Sequence, residues 1–549
     1  MILDQLLRAP AGAARRAGLE LRAAGHIARA GLIGIEPPQR AFAMLRALQR
    51  YGGVGALPAR AAIRDPDGTA IVDELGRLTF RELDERTNAL ANEWSAAGIG
   101  AGTGIAILCR NHRGFLDATF AGAKLGARML YLNTDFAGPQ VRDVCEREDT
   151  GAIVYDEEFA GVVAEAEAPL GRYVAWRDDP SGEGTALEAL IEAGDPAAPG
   201  APAERPSVVM LTSGTTGKPK GAPREQPASL APLGAVLSKV PFRAGEPTYV
   251  AAPMFHALGF ASTMLAVGLG SAIVCRRRFD PAAVLDGVEG ERCAVLVVVP
   301  VMLQRILAFG PDEIGERDLS SLRILFSSGA QLDADLVLRG LEAFGDVIYN
   351  LYGSTEVAYA TIATPADLRA APGCAGRPPM GTTVRLYDDD GKRVSGPGVT
   401  GRIFVGNGFE FAGYTDGRTK QVIDGLMSSG DVGHFDAAGR LFVDGRDDEM
   451  IVSGGENVFP HEVEDLLLRR EDVDDAAVIG VEDEAFGQRL RAFVVAAEGS
   501  GLDADAVRLY VKQNLARYKV PRDVVFVGEL PRNPAGKVLK RELAEVDPA

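Results

Sequence analysis

The sequence predicts an α/β fold: a large N-terminal domain of doubly covered, mostly parallel sheets with a β-rich subdomain, then a small α+β C-terminal domain. From about residue 60 onward, short apolar strand-like runs alternate with helix-like runs, which is typical of parallel sheets covered on both faces. Residues 372–445 are rich in glycines and turn motifs and predict the β-rich part. The residues after Gly445 form a compact unit of about a hundred residues, an ordinary size for a separate domain.

The chain divides into three predicted parts. These are a basic helical extension over residues 1–55, an N-terminal domain over 56–445 that includes the β-rich segment, and a C-terminal domain over 446–549. Apolar runs predict strands at Ile105–Cys109, Met129–Leu132, Ile153–Tyr155, Val208–Leu211, Ala294–Val299, Ile324–Phe326, Val347–Asn350, Ala476–Val481 and Arg489–Ala496. Helix-like spacing predicts helices at Phe80–Ala97, Asp280–Val288, His461–Arg470 and Ala504–Leu515.

The first fifty residues differ in charge from the rest of the chain. They hold eight arginines and three acidic residues, a balance of +5, whereas the whole chain carries −18. Aliphatic side chains interleave with arginine and alanine and predict one or two amphipathic helices, broken near Pro37 and Pro38. We favour a helical arm packed on its own domain, because an alanine-rich face binds lipid weakly. Peripheral membrane contact through residues 1–50 is the alternative.

Composition excludes several classes of function. A net charge of −18 argues against nucleic acid as a partner, since phosphate backbones require a basic surface. The five cysteines form no CxxC pair, which argues against a disulfide framework or a zinc site and favours a reducing compartment. No apolar run has the length of a membrane span, and no signal peptide is evident. We therefore expect a cytoplasmic protein; monomer and homodimer remain open.

The strongest motif runs from Leu211 to Gly221. An apolar strand leads directly into a loop of glycines, hydroxyl residues and two lysines, in which backbone N–H groups, hydroxyls and ammonium groups can all reach phosphate oxygens. It is not a Walker loop, because Pro219 follows the first lysine where that loop has Ser or Thr. The candidate ATP-binding residues here are Thr212, Ser213, Gly214, Thr215, Thr216, Gly217, Lys218 and Lys220.

With this motif the chain resembles the adenylate-forming superfamily of acyl-CoA synthetases, peptide-synthetase adenylation domains and beetle luciferases, over about residues 60–545. A second motif, Tyr349–Glu356, contributes Asn350, Tyr352, Gly353, Ser354, Thr355 and Glu356. The resemblance implies that Tyr352 stacks on adenine, Thr355 binds the α-phosphate and Glu356 holds Mg²⁺, a cation that prefers carboxylate and phosphate oxygens. A third motif, Phe326–Leu332, implies that Gly329, Ala330 and Gln331 lie beside adenine and the acyl group.

Further motifs complete the predicted site. The resemblance places His256, in Pro253–Phe260, near the acyl pocket and the phosphates, and it assigns the ribose hydroxyls to Asp431 and Arg446. The lead to Asp431 departs from the family pattern, with Met427, Ser428 and Ser429 in place of tyrosine, arginine and threonine.

Two further motifs lie in the C-terminal domain. Asp448 falls at the family's hinge between domains, and Gly454 and Gly455 fall where the pantetheine tunnel forms. Lys537 corresponds to the lysine that holds the carboxylate and the α-phosphate during adenylation, a task suited to a long cationic side chain. The family rotates its C-terminal domain between its two half-reactions.

The resemblance implies an AMP-forming acid–thiol ligase with ATP, Mg²⁺ and coenzyme A. The predicted pocket walls are Phe255–Met264, Val301–Leu307, Phe326–Gly329 and Tyr352–Thr361. Their apolar composition favours a medium- or long-chain fatty acid, and the whole chain looks most like actinobacterial fatty-acid–CoA ligases. The alternatives are a fatty-acyl-AMP ligase that loads a carrier protein, a ligase for aryl or other small acids, and a nucleotide-binding protein without catalysis.

Overall fold

A computed structural model describes residues 2–546 except 35, 180, 213–219, 225–228, 410, 412, 414–416, 418, 448–450, 454, 455, 484–486, 516–518, 534 and 535. The helices are α1 (Ile2–Ala30), α2 (Pro38–Gly55), α3 (Leu57–Arg64), α4 (Phe80–Ala96), α5 (Arg113–Lys124), α6 (Gly138–Arg147), α7 (Ala160–Val163), α8 (Leu187–Ala193), α9 (Ala231–Leu237), α10 (Ala257–Gly268), α11 (Pro281–Gly290), α12 (Pro300–Leu307), α13 (Gly310–Gly315), α14 (Ala334–Phe344), α15 (Pro365–Ala370), α16 (Pro460–Leu467), α17 (Ala504–Asn514) and α18 (Lys540–Ala544). Within the described part of the chain, no helix is long and apolar enough to cross a membrane.

Among the described residues, the strands form four sheets. They are β1 (Thr69–Asp73), β2 (Gly76–Thr79), β3 (Gly104–Leu108), β4 (Arg128–Tyr131), β5 (Thr150–Asp156), β6 (Arg172–Trp176), β7 (Thr185–Ala186), β8 (Ser207–Thr212), β9 (Lys220–Arg224), β10 (Thr248–Val250), β11 (Ile273–Val274), β12 (Val295–Val298), β13 (Ile324–Ser327), β14 (Ile348–Tyr352), β15 (Thr361–Ala363), β16 (Thr383–Tyr387), β17 (Arg393–Val394), β18 (Gly401–Gly406), β19 (Val422–Ile423), β20 (Leu426–Phe435), β21 (Leu441–Arg446), β22 (Ile451–Ser453), β23 (Glu456–Val458), β24 (Val473–Asp483), β25 (Gly487–Ala496) and β26 (Asp523–Phe526).

Two large, mostly parallel sheets form the body of the protein. One has eight strands in the order β15-β14-β13-β12-β10-β11-β1-β2, and the other has seven in the order β7-β6-β5-β3-β4-β8-β9. Every residue of β3 and of β12 is buried, as expected for central strands covered on both faces. One core fills the space around α5 and α10, and a second covers β12 and β13 together with α12 and α14.

The last two sheets are mainly antiparallel. β16 to β21 make a six-stranded sheet, which agrees with the β-rich character predicted for residues 372–445. β22 to β26 make a separate five-stranded sheet with its own core beneath α16 and α17. The overall α/β architecture predicted from the sequence is therefore confirmed.

The predicted central elements agree with the structure to within a few residues, as with α4, which begins at a capping box formed by Thr79 and Glu82. The sequence prediction missed several short strands: β7, β17 and β19 at sheet edges, and β11 between β10 and β1. Each of these contains two residues, too few for a periodic pattern to appear.

The N-terminal segment forms helices on either side of the predicted break at Pro37 and Pro38, and α1 packs on α9. A Cβ atom at Gly234 of α9 would lie 2.5 Å from the Cβ of Ala23, so the two helices cross in close contact. The carboxylate of Glu20 accepts a hydrogen bond of 3.0 Å from the Leu230 backbone N–H.

Helix α2 is fixed at another place. Its Met44 and Tyr51 side chains are buried, and the Tyr51 hydroxyl donates a 2.7 Å hydrogen bond to the carbonyl of Pro199. The structure therefore has a packed arm, the interpretation favoured from the sequence.

Candidate active site at the carboxyl edge of the eight-stranded sheet

Four parallel neighbours, β10, β12, β13 and β14, end at one edge of the eight-stranded sheet. The loops that follow contain His256 after β10, residues 328–331 after β13 and residues 353–356 after β14. Ligands of open α/β sheets bind outside the carboxyl ends of the strands. This edge therefore brings together three of the segments predicted to form one site.

Tyr352 and Asp431 connect this edge to the six-stranded sheet. The Tyr352 hydroxyl, at the end of β14, lies 2.5 Å from Oδ2 of Asp431 and 3.1 Å from Oγ of Ser429, both on β20. Arg446 on β21 is the register partner of Asp431, and its Nε lies 3.8 Å from the Asp431 Oδ1. The pair places a phenol and a carboxylate with a guanidinium beside it at one wall of the site.

The ionisation of this pair depends on burial. Burial raises the pKa of Asp431, while the Tyr352 hydroxyl, Arg446 and Lys537 act in the opposite direction. Burial, followed by the Asp431 carboxylate, raises the pKa of Tyr352 well above its usual value. Tyr352 is therefore a hydrogen-bond donor throughout the physiological pH range.

The turn after β14 has a compact geometry. A Cβ atom at Gly353 would lie 2.2 Å from the carbonyl oxygen of Ala358, so the turn requires glycine at this position. Ser354 donates a 2.7 Å hydrogen bond from Oγ to Oε2 of Glu356, and both residues are partly buried, as is Thr355 between them. A partly buried carboxylate at the edge of the site is a suitable oxygen ligand for Mg²⁺.

Buried polar atoms without partners mark the same edge. Among the described residues, the Asn350 Oδ1, the Ser327 Oγ and the His256 Nε2 are buried and have no hydrogen-bond partner. Ser327 and Asn350 are register partners at the ends of β13 and β14. Because buried polar groups are nearly always satisfied in proteins, these atoms fit a site that is completed by a polar ligand.

His256 precedes α10 and forms no side-chain cap on that helix. Its ring lies 4.6 Å from the ring of Phe255, measured between centroids, and burial lowers its pKa to about 4. The imidazole is therefore neutral at pH 7. This suits a hydrogen-bonding role better than a charged one.

The loop after β13 places its three predicted residues side by side. Gly329 has a φ of +96° and a Cβ there would lie 3.5 Å from the Val299 side chain. Ala330 is half-buried and Gln331 is exposed. These residues line the outer part of the edge.

A loop of the domain that contains the five-stranded sheet reaches the same edge. Asn533 holds this loop: its side-chain Oδ1 accepts a 2.8 Å hydrogen bond from the Lys537 N–H, and its N–H donates one of 2.9 Å to the Lys537 carbonyl. Gly536 contacts α12, since a Cβ atom there would lie 2.3 Å from Cγ1 of Val301. The exposed Lys537 lies close enough to Asp431 to stabilise its carboxylate.

Two of the predicted phosphate-binding residues belong to the seven-stranded sheet. Thr212 and Lys220 are register partners at the ends of β8 and β9, at the root of the predicted phosphate loop. The loop residues Ser213, Gly214, Thr215, Thr216, Gly217 and Lys218 lie outside the described residues, as do Asp448, Gly454 and Gly455.

The sequence reasoning named the segments of three further contributors, Ser327, Ser429 and Val301, but predicted none of their individual contacts. Ser327 lies within the motif Phe326–Leu332 and the predicted wall Phe326–Gly329, but the sequence reasoning assigned no role to its side chain. Ser429 stands out in the sequence only as a departure from the family pattern, yet its Oγ contacts Tyr352. Nothing local in the sequence indicates the contact of Val301 with Gly536, since the two residues belong to different domains.

Comparisons with known proteins agree with this geometry. The family model of AMP-binding enzymes matches residues 58–415, and the model of their C-terminal domain matches residues 462–537. Indoleacetate–CoA ligase from Aromatoleum aromaticum is 34% identical over 91% of this chain and 97% of its own. Feruloyl-CoA synthase from an Amycolatopsis species is 36% identical over 90% of this chain and 99% of its own.

A solved structure of an enzyme that forms an acyl-adenylate also resembles this chain. The o-succinylbenzoate CoA synthetase from Bacillus subtilis, in complex with its acyl-adenylate intermediate, is 25% identical. It aligns with a TM-score of 0.77 over 90% of this chain and 98% of its own.

Proposed function

Because the chain belongs to the family of AMP-binding enzymes and is an AMP-forming acid–thiol ligase, we propose that it joins a hydrophobic carboxylic acid to coenzyme A. In the first half-reaction a carboxylate oxygen attacks the α-phosphorus of ATP, and the bond to the departing pyrophosphate breaks. In the second, the thiol of coenzyme A attacks the acyl carbon and AMP leaves. A carboxylate is already ionised at neutral pH, so the first step needs charge stabilisation rather than a general base.

The position of the Lys537 loop is the observation that carries this proposal. Its contact with Val301 through Gly536 and its proximity to Asp431 bring a long cationic side chain to the edge that also holds Tyr352 and Glu356. A cation here would neutralise charge that develops when the carboxylate attacks the α-phosphate. The arrangement favours adenylation, the first half-reaction.

The residues at this edge suit the parts of ATP. We assign the ribose hydroxyls to Asp431 and Arg446, which lie beside one another on β20 and β21, and the adenine ring to Tyr352. A carboxylate can accept hydrogen bonds from both hydroxyls of a ribose. Glu356 and Thr355 would hold Mg²⁺ and the α-phosphate, and the bound ion would offset negative charge on the departing pyrophosphate.

The second half-reaction requires another arrangement of the C-terminal domain. Because the Lys537 loop covers the edge here, coenzyme A reaches the acyl carbon after this loop has moved away. We assign the pantetheine path to the segment of Gly454 and Gly455 and the hinge to Asp448.

The acid is proposed to be aromatic, either an aryl or an arylalkyl acid. The wall segments Phe255–Met264 and Phe326–Gly329 contain no acidic residue, lysine or arginine, and the single arginine of Val301–Leu307, Arg305, is exposed. The acids in the names of the relatives, indoleacetate and ferulate, are aromatic. A medium- or long-chain fatty acid is the second candidate, because the same apolar walls suit an aliphatic chain.

A substrate panel tests the proposal. Acyl-CoA formation is measured with ATP, Mg²⁺ and coenzyme A for benzoate, ferulate, indole-3-acetate, decanoate and oleate, with Lys537→Ala as the inactive control. The highest kcat/KM for an aromatic acid would support the proposal, and the highest value for decanoate or oleate would select the second candidate. Pyrophosphate release without acyl-CoA from any of these acids would contradict coenzyme A as the acceptor and favour loading of a carrier protein.

A further inference from the structure

An apolar face remains exposed on α2 after the arm has packed. Phe42 is 63% exposed and Leu45 is 49% exposed, and Leu48 is also exposed. Phe42 and Leu45 lie on the part of the helix that faces away from the buried Met44, whereas Leu48, four residues after Met44, lies on the flank beside it. The α2 face is defined here as Phe42, Leu45 and Leu48 together with the exposed residues Pro38 and Ala41.

Basic side chains accompany this face. Arg40 and Arg46 are both exposed on the same helix, and residues 38–50 contain three arginines and no acidic residue. The whole chain, in contrast, carries −18. An anionic surface would therefore attract the α2 face and repel most of the remaining protein, which fixes the orientation of an encounter.

The size of the α2 face distinguishes between occupants. Three large apolar side chains on one helix expose far less than the roughly 800 Å² per partner that a stable protein interface buries. A lipid surface needs no such area, because apolar side chains enter the acyl boundary while arginines contact anionic headgroups. The helix is also firmly held, since its opposite side is buried and the Tyr51 hydroxyl is bonded to Pro199.

We propose that the α2 face docks the protein on an anionic lipid surface, with Phe42 and Leu45 inserted at the boundary of the acyl chains and Arg40 and Arg46 on the headgroups. The interaction is peripheral and reversible, because a single short apolar face supplies limited insertion. It does not depend on which acid the enzyme activates.

The test is co-sedimentation of the full chain with vesicles of phosphatidylcholine alone and of phosphatidylcholine with about a third phosphatidylglycerol. Wild type is expected to bind the anionic vesicles and not the neutral ones. Phe42→Ser/Leu45→Ser should weaken binding by at least about tenfold. Arg40→Gln/Arg46→Gln should weaken it by roughly 25-fold, since each basic side chain near such a surface contributes about fivefold.

Matched controls separate docking from general stickiness. Leu338 and Leu509 are 53% and 54% exposed on α14 and α17, so Leu338→Ser/Leu509→Ser removes as much exposed apolar surface elsewhere and should bind vesicles as wild type does. Unchanged thermal melting and acyl-CoA formation would establish that each variant is folded.

Two results would overturn the proposal. One is equal vesicle binding by wild type and both α2 variants. The other is absence of binding to the anionic vesicles by wild type. Such a result can be accompanied by a dimer, measured by light scattering, that Phe42→Ser/Leu45→Ser dissociates. In that case the α2 face is an interface between copies of this chain.

Discussion

Substitution of Gly536 by alanine should selectively impair adenylation. Gly536 lies directly before Lys537 and has a φ of +79°. A Cβ atom at this position would lie 2.3 Å from Cγ1 and 3.0 Å from Cβ of Val301, on the other side of the domain boundary. The overlap exists only while the Lys537 loop is in contact with α12, so it should destabilise that arrangement and spare any other.

The size of the effect follows from two separate contributions. An alanine at positive φ costs about 1 kcal/mol in every arrangement of the domains and does not shift their equilibrium. Carbon atoms make ordinary contact at about 3.5–4.0 Å, so Val301 must move by more than about 1 Å, and overpacking of this kind costs about 1–3 kcal/mol. This second contribution should lower the adenylation rate by roughly 5- to 150-fold.

The two half-reactions are assayed separately. Adenylation is measured by pyrophosphate release, and thioester formation by acyl-CoA production from supplied acyl-AMP, which Gly536→Ala should leave close to wild type. Gly499→Ala is the matched control, because Gly499 lies in the same domain at a φ of +75°, and a Cβ atom there would meet no atom of the described residues within 4 Å. Val301→Ala should partly restore adenylation in the Gly536→Ala background. An equal loss of both half-reactions, or the absence of restoration, would refute the reasoning.

Three further predictions concern single side chains at the site. Lys537→Ala should reduce adenylation by roughly a hundredfold or more and leave thioester formation from supplied acyl-AMP intact. The control is Lys512→Ala, at an exposed lysine of the same domain, which should change neither half-reaction. Parallel loss of both half-reactions in Lys537→Ala would contradict the role assigned to Lys537. Tyr352→Phe keeps the ring but removes a hydrogen-bond donor that lowers the pKa of Asp431. In the pH profile of kcat/KM for ATP, the acid limb should therefore move up by roughly 1 pH unit. An acid limb that does not move would show that the ionisation of Asp431 does not control ATP binding. Burial lowers the pKa of His256 to about 4. Because this side chain binds a proton more readily in the unfolded chain, the contribution of His256 to the free energy of unfolding should be complete above about pH 6.5 and decline as the pH falls towards 4. An imidazole resonance of His256 that titrates near pH 6.5 by NMR would contradict this prediction.

The parts of the site that are contiguous in sequence could be predicted, and the parts that arise from tertiary contacts could not. A strand followed by a glycine-containing loop has a local signature, so the segments with Gly329 and Gly353 could be matched to motifs of the adenylate-forming superfamily. The hydrogen bond from Tyr352 to Asp431 joins two sheets. Each residue belongs to a motif that predicts it as a site residue, but neither motif predicts that the two side chains contact each other.

The same limit applies to the fold. Central strands such as β12 are continuous apolar runs and can be predicted, because burial on both faces leaves a strong pattern. Two-residue strands such as β11 are defined by the strands on either side of them rather than by their own residues. The packing of α1 on α9 depends on Gly234, a residue that has no distinctive local context.

The crossing of α1 and α9 restricts how the N-terminal extension can be altered. Helix α9 is the first helix after the β8–β9 hairpin, which carries the predicted phosphate loop, and α1 covers it with Ala23 against Gly234. A shortened protein that begins after α1 would expose this side of α9 and leave the Ala244 N–H without the Ala30 carbonyl that it contacts at 2.8 Å. An exchange of extensions between two relatives would therefore require the matching residues of α9 to be exchanged as well.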